Sequence, residues 1–293
     1  MRTLFTTLLA AAALALAACE APENRGEPAI WRIADADSEI WLYGTVHLLP
    51  PDLRWRGPRF EAAFGAAEEL VTETDTGEAA SAELASLARR LGALPEGERL
   101  SQRLLPSQEA ALHDAADRLG LDFGLLDRQR PWLTALQLSY AAALRAGHRP
   151  EAGVEAALLG QAQRRRMRVS HLETPAQQVR VLAELSAADE MRFLQLTLAD
   201  IEAGPAAMDA MDRAWARGDV DALERLLAPE WQAAGRGIHE AVILERNRDW
   251  ADQIEARLAG SGRVFIAVGA AHLVGEDSVV DLLRQRGIAV EGP

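Results

Sequence analysis

Lysine is absent from the 293-residue chain, and cysteine occurs once, as Cys19. The first absence leaves no amine for a Schiff base and no lysine for a phosphate-binding loop. The second leaves no intramolecular disulfide and no cysteine-rich metal site. Basic charge is also short. The 31 arginines face 44 acidic side chains, a net of −13. No basic excess exists to displace counterions from a phosphate backbone, so no nucleic-acid partner is expected. Gly-x-Ser-x-Gly, His-Glu-x-x-His, Gly-x-Gly-x-x-Gly and a calcium-loop pattern are all missing. Serine-hydrolase, zincin, dinucleotide and EF-hand readings therefore lack support. Asparagine stands only at 24 and 247. What is abundant is ordinary: 49% hydrophobic and 26% charged residues describe a globular chain, long enough to bury a core.

One apolar run stands out, at the start. Arg2 precedes an Ala/Leu stretch that ends at Ala18, which reads as a signal peptide over 1–18. Leu16-Ala17-Ala18-Cys19 resembles a bacterial lipobox, with Cys19 the lipidated first residue of the mature chain. The alternative is a plain signal peptide with an incidental cysteine. The lipobox reading predicts export across the inner membrane and a lipid anchor in the bacterial envelope. Glu20 rather than Asp favours the outer membrane, facing the periplasm. Several acyl chains suffice for stable attachment. Residues 19–29 carry Pro, Gly and charge without apolar period and read as a tether. No later stretch is long and apolar enough to span a membrane.

Residues 30–293 read as one domain of mixed α/β class, with a small sheet, many helices and a helical insertion around 76–147. Ile30–Ile33 and Glu39–Tyr43 predict a hairpin across a turn-prone 34–38 segment. Helix is expected over 58–69, then a short strand over 70–74. Further helices begin at Ser107, Pro131 and Gly153. A strand is expected over 167–172, and broken helices over 176–258 with interruptions near Gly204, Gly218 and Pro229. Arg263–Val268 is the clearest buried strand. A helix over 276–286 and a strand over 288–291 close the chain.

Four polar residues fall at or just past predicted strand ends: His47, Glu73, Glu173 and His272. Ligand sites of open α/β sheets form there. Gly44 and Gly269 precede the two histidines in Gly-x-x-His patterns, a weak signal alone but each directly after an apolar strand. Two neutral imidazoles and a carboxylate suit Zn, Mn, Co or Fe, and sequence does not choose among them. Glu73 reads as a ligand, a general base or a cap of its loop. On a later helix Ile243, Asn247, Trp250, Ile254 and Leu258 form one stripe, which Asn247 interrupts. A buried amide needs partners, so Asn247 or its neighbour Arg246 either positions a catalytic group or substrate, or belongs to a structural network. Glu155 and Glu173 precede or open helices, where a carboxylate meets the helix dipole; supporting the site is the second reading. His171 reads as a satisfied core residue. His113, His148 and His239 have no evident partners.

The chain resembles the TraB/GumN family, whose animal relatives include the Tiki metalloproteases. The resemblance rests on Leu42-Tyr43-Gly44-Thr45-Val46-His47, the Glu73 strand, Gly153-Val154-Glu155, Leu172-Glu173-Thr174-Pro175-Ala176-Gln177-Gln178, Glu245-Arg246-Asn247-Arg248-Asp249-Trp250 and Val268-Gly269-Ala270-Ala271-His272-Leu273-Val274-Gly275. These keep the family order and span roughly 40 to 290. The chain departs from the family at Glu155, where Asp is more frequent. The resemblance implies a fold like those of erythromycin esterase and the ChaN haem-binding lipoproteins. It also implies a metal-dependent hydrolytic site built from both Gly-x-x-His motifs and the early glutamate. The expectation is an envelope-anchored, divalent-metal hydrolase acting on peptide or amide bonds, with a peptide or small molecule as substrate. The alternative is a non-catalytic lipoprotein that sequesters a peptide signal or haem, with a histidine or Tyr43 as axial ligand. The sequence sets no oligomeric state.

Overall fold

A computed structural model describes residues 26–293. The signal peptide, Cys19 and the tether up to residue 25 lie outside the described residues. The fold is mixed α/β, with a five-stranded sheet. The strands are β1 (Ile30–Ala34), β2 (Ser38–Thr45), β3 (Glu69–Thr72), β4 (Arg168–His171) and β5 (Gly262–Gly269). Their order across the sheet is β1-β2-β5-β3-β4. β1 pairs antiparallel with β2 as a hairpin, and Asp35 closes its turn by accepting from the Ser38 N–H at 2.8 Å. The remaining pairs, β2 with β5, β5 with β3 and β3 with β4, are all parallel. Four carboxyl ends therefore emerge along one rim of the sheet, with β5 placed between β2 and β3.

The helices are α1 (Pro58–Ala66), α2 (Glu78–Gly92), α3 (Pro106–Leu119), α4 (Phe123–Leu126), α5 (Pro131–Arg145), α6 (Val154–Arg165) and α7 (Pro175–Ala183). They continue as α8 (Ala187–Ala203), α9 (Ala206–Ala216), α10 (Val220–Ala234), α11 (Arg236–His239), α12 (Glu245–Leu258) and α13 (Val279–Gln285). Proline at the first turn opens α1, α3, α5 and α7, where its missing N–H is unneeded. Gly120 ends α3 in the left-handed conformation, as its position after the apolar stripe predicts.

Two layers of packing follow. The sheet core joins Ile40, Leu42, Leu70, Phe265 and Ile266 from the strands to Phe60, Phe64, Leu158, Trp250 and Leu283 from helices. Parallel strands covered on both faces read as continuous apolar runs, which is why Val264–Val268 is buried throughout. A second core joins α3 and α5 of the predicted insertion to α8, through Leu112, Ala135, Leu138, Leu194 and Leu198.

Three sequence expectations need correction. Residues 288–291 form no strand; Glu291 makes only an isolated bridge to Arg32. Pro229 does not break its helix but sits inside α10, and the chain turns instead at Gly235, whose φ of 81° suits glycine. The helix predicted over 58–69 stops at Ala66, because Glu69 already pairs in β3 with Val264 and Arg168.

Candidate functional site

The rim at the carboxyl ends of β2, β3, β4 and β5 gathers the sequence-predicted residues. β2 runs through Gly44 and Thr45 to His47. β3 ends at Thr72 and delivers Glu73. β4 leads through Leu172 to Glu173, whose N–H donates to the Glu73 carbonyl at 2.8 Å. β5 ends at Gly269, and a single 3₁₀ turn, Ala270–His272, carries His272 back under the sheet edge. The two Gly-x-x-His segments touch: a side chain at Gly44 would meet the Ala270 Cα at 3.0 Å and its Cβ at 3.1 Å. The Gly44 carbonyl accepts from the buried Trp215 indole N–H at 2.9 Å, fixing the strand end.

α12 supplies the cation. It is entered through a π-helical turn, Glu240–Leu244, a feature often found at functional sites. Arg246 has five N–H donors, and all five are used. Nε donates to Glu173 Oε1 at 2.7 Å, and Nη2 donates to Glu173 Oε2 at 2.9 Å and Glu73 Oε2 at 2.8 Å. Nη1 donates to the Val242 carbonyl at 3.3 Å, inside the π turn, and to His272 Nε2 at 3.1 Å. The guanidinium also lies 4.6 Å from the Trp250 ring centre. Trp250 donates from its indole to Glu173 Oε1 at 3.0 Å. Glu73 is held from three sides: besides Arg246, Gln178 donates at 3.0 Å and the Gly269 N–H at 2.6 Å.

Asn247 is fully buried and explains the gap in its apolar stripe. Its amide nitrogen donates to the Asp277 carbonyl at 2.8 Å, which fixes its oxygen toward His272 Nδ1 at 2.6 Å. His272 therefore carries its proton on Nδ1 and turns the Nε2 lone pair to Arg246. Burial is the main force on this imidazole, and the Arg246 and His47 charges add to it against Glu73. Together they press it down to about 3, so it is neutral. Burial pushes the Glu73 carboxyl up, but the Arg246 and His47 charges and the Gly269 N–H outweigh it and hold it below the ordinary carboxylate range. With His272 neutral, Arg246 and His47 are the cations that keep Glu73 ionised.

His47 makes a different pair. Its Nδ1 lies 2.7 Å from Glu155 Oε1, and the same oxygen accepts from the Thr45 hydroxyl. Glu155 Oε2 is buried without a partner. The Glu155 charge and hydrogen bond lift the imidazole from 6.5 to about 9. The His47 side chain is 63% exposed, so water screens that pull and the upward shift is smaller than the pair alone would give. Glu155 sits in the first turn of α6, where sequence places it, and is also the anchor of His47.

Gly153 shows why α6 begins where it does. A Cβ there would lie 2.1 Å from the His47 carbonyl oxygen, while the next N–H, of Val154, bonds the Val46 carbonyl at 3.1 Å. Only glycine lets the helix start press on the His47 loop. Gly153→Ala is expected to cost about 1–3 kcal/mol by overpacking and to displace His47. Urea unfolding and the His47 NMR resonance check this, and an unchanged protein on both counts would show that the contact is slack.

The donor types suit a divalent cation: two imidazoles, each tied through Nδ1, and an ionised carboxylate. The spacing does not. Among the described residues no group of three His, Cys, Asp or Glu side chains is placed to hold an ion. The Arg246 guanidinium already takes Glu73 Oε2 and His272 Nε2. Tyr43 is a correction. It is fully buried, with Trp55, Phe60 and Phe265 ring centres 5.2–6.1 Å away, and cannot reach a haem as an axial ligand.

Other residues show partners that sequence left out. Glu173 serves Arg246 and Trp250 rather than capping α7, whose cap is Thr174. His171 is satisfied by the Thr72 hydroxyl at 2.8 Å. His148, read as partnerless, is buried against Asp212 at 2.6 Å, and His113 stacks on Phe123. No local signal marks these pairs.

No solved structure matches this chain significantly. The uncharacterized protein YbaP of Escherichia coli (strain K12) is 24% identical over 257 residues, covering 88% of this chain and 92% of YbaP. An uncharacterized protein of Treponema pallidum (strain Nichols) is 22% identical over 272 residues, covering 89% and 81%. The model of the TraB/PrgY/gumN family matches residues 29–292, from the hairpin to the penultimate residue. The Gly-x-x-His pair, Glu73 and the Arg246-Asn247 turn thus sit inside one continuous match, and the chain belongs to the TraB/PrgY/gumN family.

Proposed function

We propose that this chain is a hydrolase of peptide or amide bonds, held in the bacterial envelope by a lipid on Cys19, at the periplasmic face of the outer membrane. The observation that carries the hydrolytic part is convergence. His47, Glu73 and His272 come from three separate strand ends of one rim: Arg246 bridges Glu73 and His272, and the two Gly-x-x-His segments touch at Gly44 and Ala270. A divalent metal (Zn, Mn, Co or Fe) would polarise a carbonyl if one were bound, but Arg246 already takes Glu73 and His272, so no step below passes through a metal.

The chain's own residues account for proton movement. In its deprotonated form His47 accepts a proton at Nε2 from a water at the rim. Glu155 orients the ring through Nδ1 and balances the charge that forms. As the water oxygen bonds the carbonyl carbon and the C–N bond breaks, Nε2 returns the proton to the leaving amine. Glu73 and His272, fixed by Arg246 and Asn247, present one charged and one neutral group at the same rim. Arg246 is a positioning residue, because it has no N–H left for substrate.

The test is turnover of a quenched peptide library by purified protein, with bound metal counted. His47→Ala and His272→Ala are each expected to bring turnover to background while circular dichroism stays native. Full turnover in both folded variants would overturn the reading. Saturable peptide binding without cleavage would replace it with the sequestering lipoprotein. Mass spectrometry of the N-terminal peptide tests the Cys19 anchor, and an unmodified Cys19 removes it.

A further inference from the structure

A cavity of about 680 Å³ opens among α3, α5, α8, α9 and α10, away from the residues of the rim. Leu119, Ile201, Met208, Met211, Leu227 and Trp231 line it, all half-buried. Leu227 belongs to the margin of the sheet core, Leu119 and Ile201 to that of the α3–α5–α8 core, and Trp231 to a third cluster around Ile238. Met208 and Met211 join none of these clusters among the described residues. The space is thus a seam where three cores stop short of fusing. A well-packed interior closes such a gap, and thioether side chains are those best able to adapt to what fills it.

Two carboxylates face the seam, Asp200 on α8 and Glu230 on α10. Neither makes an ion pair or a hydrogen bond among the described residues. Burial pushes both carboxyls up, and the Asp200 charge pushes Glu230 further. Arg118 and Arg145 also border the cavity, from α3 and α5, but both are exposed and neither pairs with these acids. Glu230 is half-buried and Asp200 is exposed, and the Asp200 charge reaches Glu230.

We propose that this cavity binds an amphipathic organic cation, its apolar body among Met208, Met211 and Ile201 and its charge between Asp200 and Glu230 beside the Trp231 ring. A cation there relieves the repulsion between the acids and meets the π face of the indole. The apolar body covers surface that otherwise stays wet. This site is independent of the hydrolase reading.

The test uses two ions of the same shape and opposite charge, tetraphenylphosphonium and tetraphenylborate, titrated calorimetrically into the purified full chain. One phosphonium per chain is expected to bind saturably, with the borate at least about 10-fold weaker, equivalent to about 1.4 kcal/mol. The double variant Asp200→Asn/Glu230→Gln is expected to weaken the phosphonium by at least about 10-fold while keeping its melting temperature, because it removes repulsion rather than support. Met208→Trp, which fills the seam, is expected to abolish binding. Equal or tighter borate binding, or undiminished phosphonium binding in the folded double variant, would overturn the proposal. Peptide turnover is expected unchanged in all these variants.

Discussion

Replacing Arg246 with methionine is expected to remove about 3–5 kcal/mol of folding stability, because it leaves two buried carboxylates facing each other without their shared cation. The reasoning starts from burial. The Glu73 and Glu173 side chains are 9% and 5% exposed, and that of Arg246 is 13%. Bringing three charges this far out of water is costly, and the cost is offset only by complete pairing. Here pairing is complete on the cationic side, with five donors and five acceptors. Methionine keeps most of the stem and removes the guanidinium, so the loss is that of the charge, its hydrogen bonds and its contact with the Trp250 ring. Arg246→Lys is expected to recover little. An ammonium is a point donor and cannot hold Glu173 through two atoms while reaching Glu73 and His272. Total stabilities of about 5–15 kcal/mol make a loss of this size visible as a large drop in the denaturant midpoint. A change below about 1 kcal/mol would mean that water already pairs these acids and that the network is not a buried one. The companion variant Glu173→Gln tests the same point from the other side. It leaves Arg246 with Glu73 as its one carboxylate partner, so its cost is expected to be smaller than that of Arg246→Met.

This network also shows how far the sequence could be read. The strand ends at His47, Glu73 and His272 were legible because each follows an apolar run that could only be buried sheet, and parallel sheets put their sites at such ends. Asn247 was legible for a different reason: a rare amide interrupting an apolar stripe has to find buried partners. The sequence held no signal for what those partners are. His272 and the Asp277 carbonyl lie 25 and 30 residues away, and the Arg246–Glu173 fork spans 73. The π turn before α12 was equally hidden, since nothing in Glu240–Leu244 departs from an ordinary helical pattern. Long-range electrostatics and one-residue changes of helical phase depend on the assembled fold. Local propensity carries neither.

Glu155→Gln is the substitution that separates charge from geometry at His47, and it is expected to lower peptide turnover about 10–100-fold, as removal of a carboxylate supporting an imidazole does. One oxygen, Oε1, accepts from both Thr45 and His47, while Oε2 has no partner. A glutamine at 155 can keep both bonds through its single oxygen, so the ring stays in place and what disappears is the anion. The sign of the pH effect follows. A raised imidazole pKa means that the folded protein holds the His47 proton more tightly than the unfolded chain. The stability this contributes is present in full below about 6.5 and is lost as pH rises toward about 9. In Glu155→Gln that pH dependence is expected to flatten, and the imidazole to titrate near its ordinary 6.5. Turnover by the native protein is expected to rise with pH as His47 loses its proton, along a limb lying above 6.5. In the variant that limb moves down in pH while the maximal rate falls. An NMR titration of the His47 ring beside the pH–rate profile distinguishes this from a structural defect, which would lower the rate at every pH and leave the limb where it was. An unmoved limb with an unmoved His47 titration would show that Glu155 supports the loop without tuning the base, and the proton-transfer role would pass from His47 to another group on the rim.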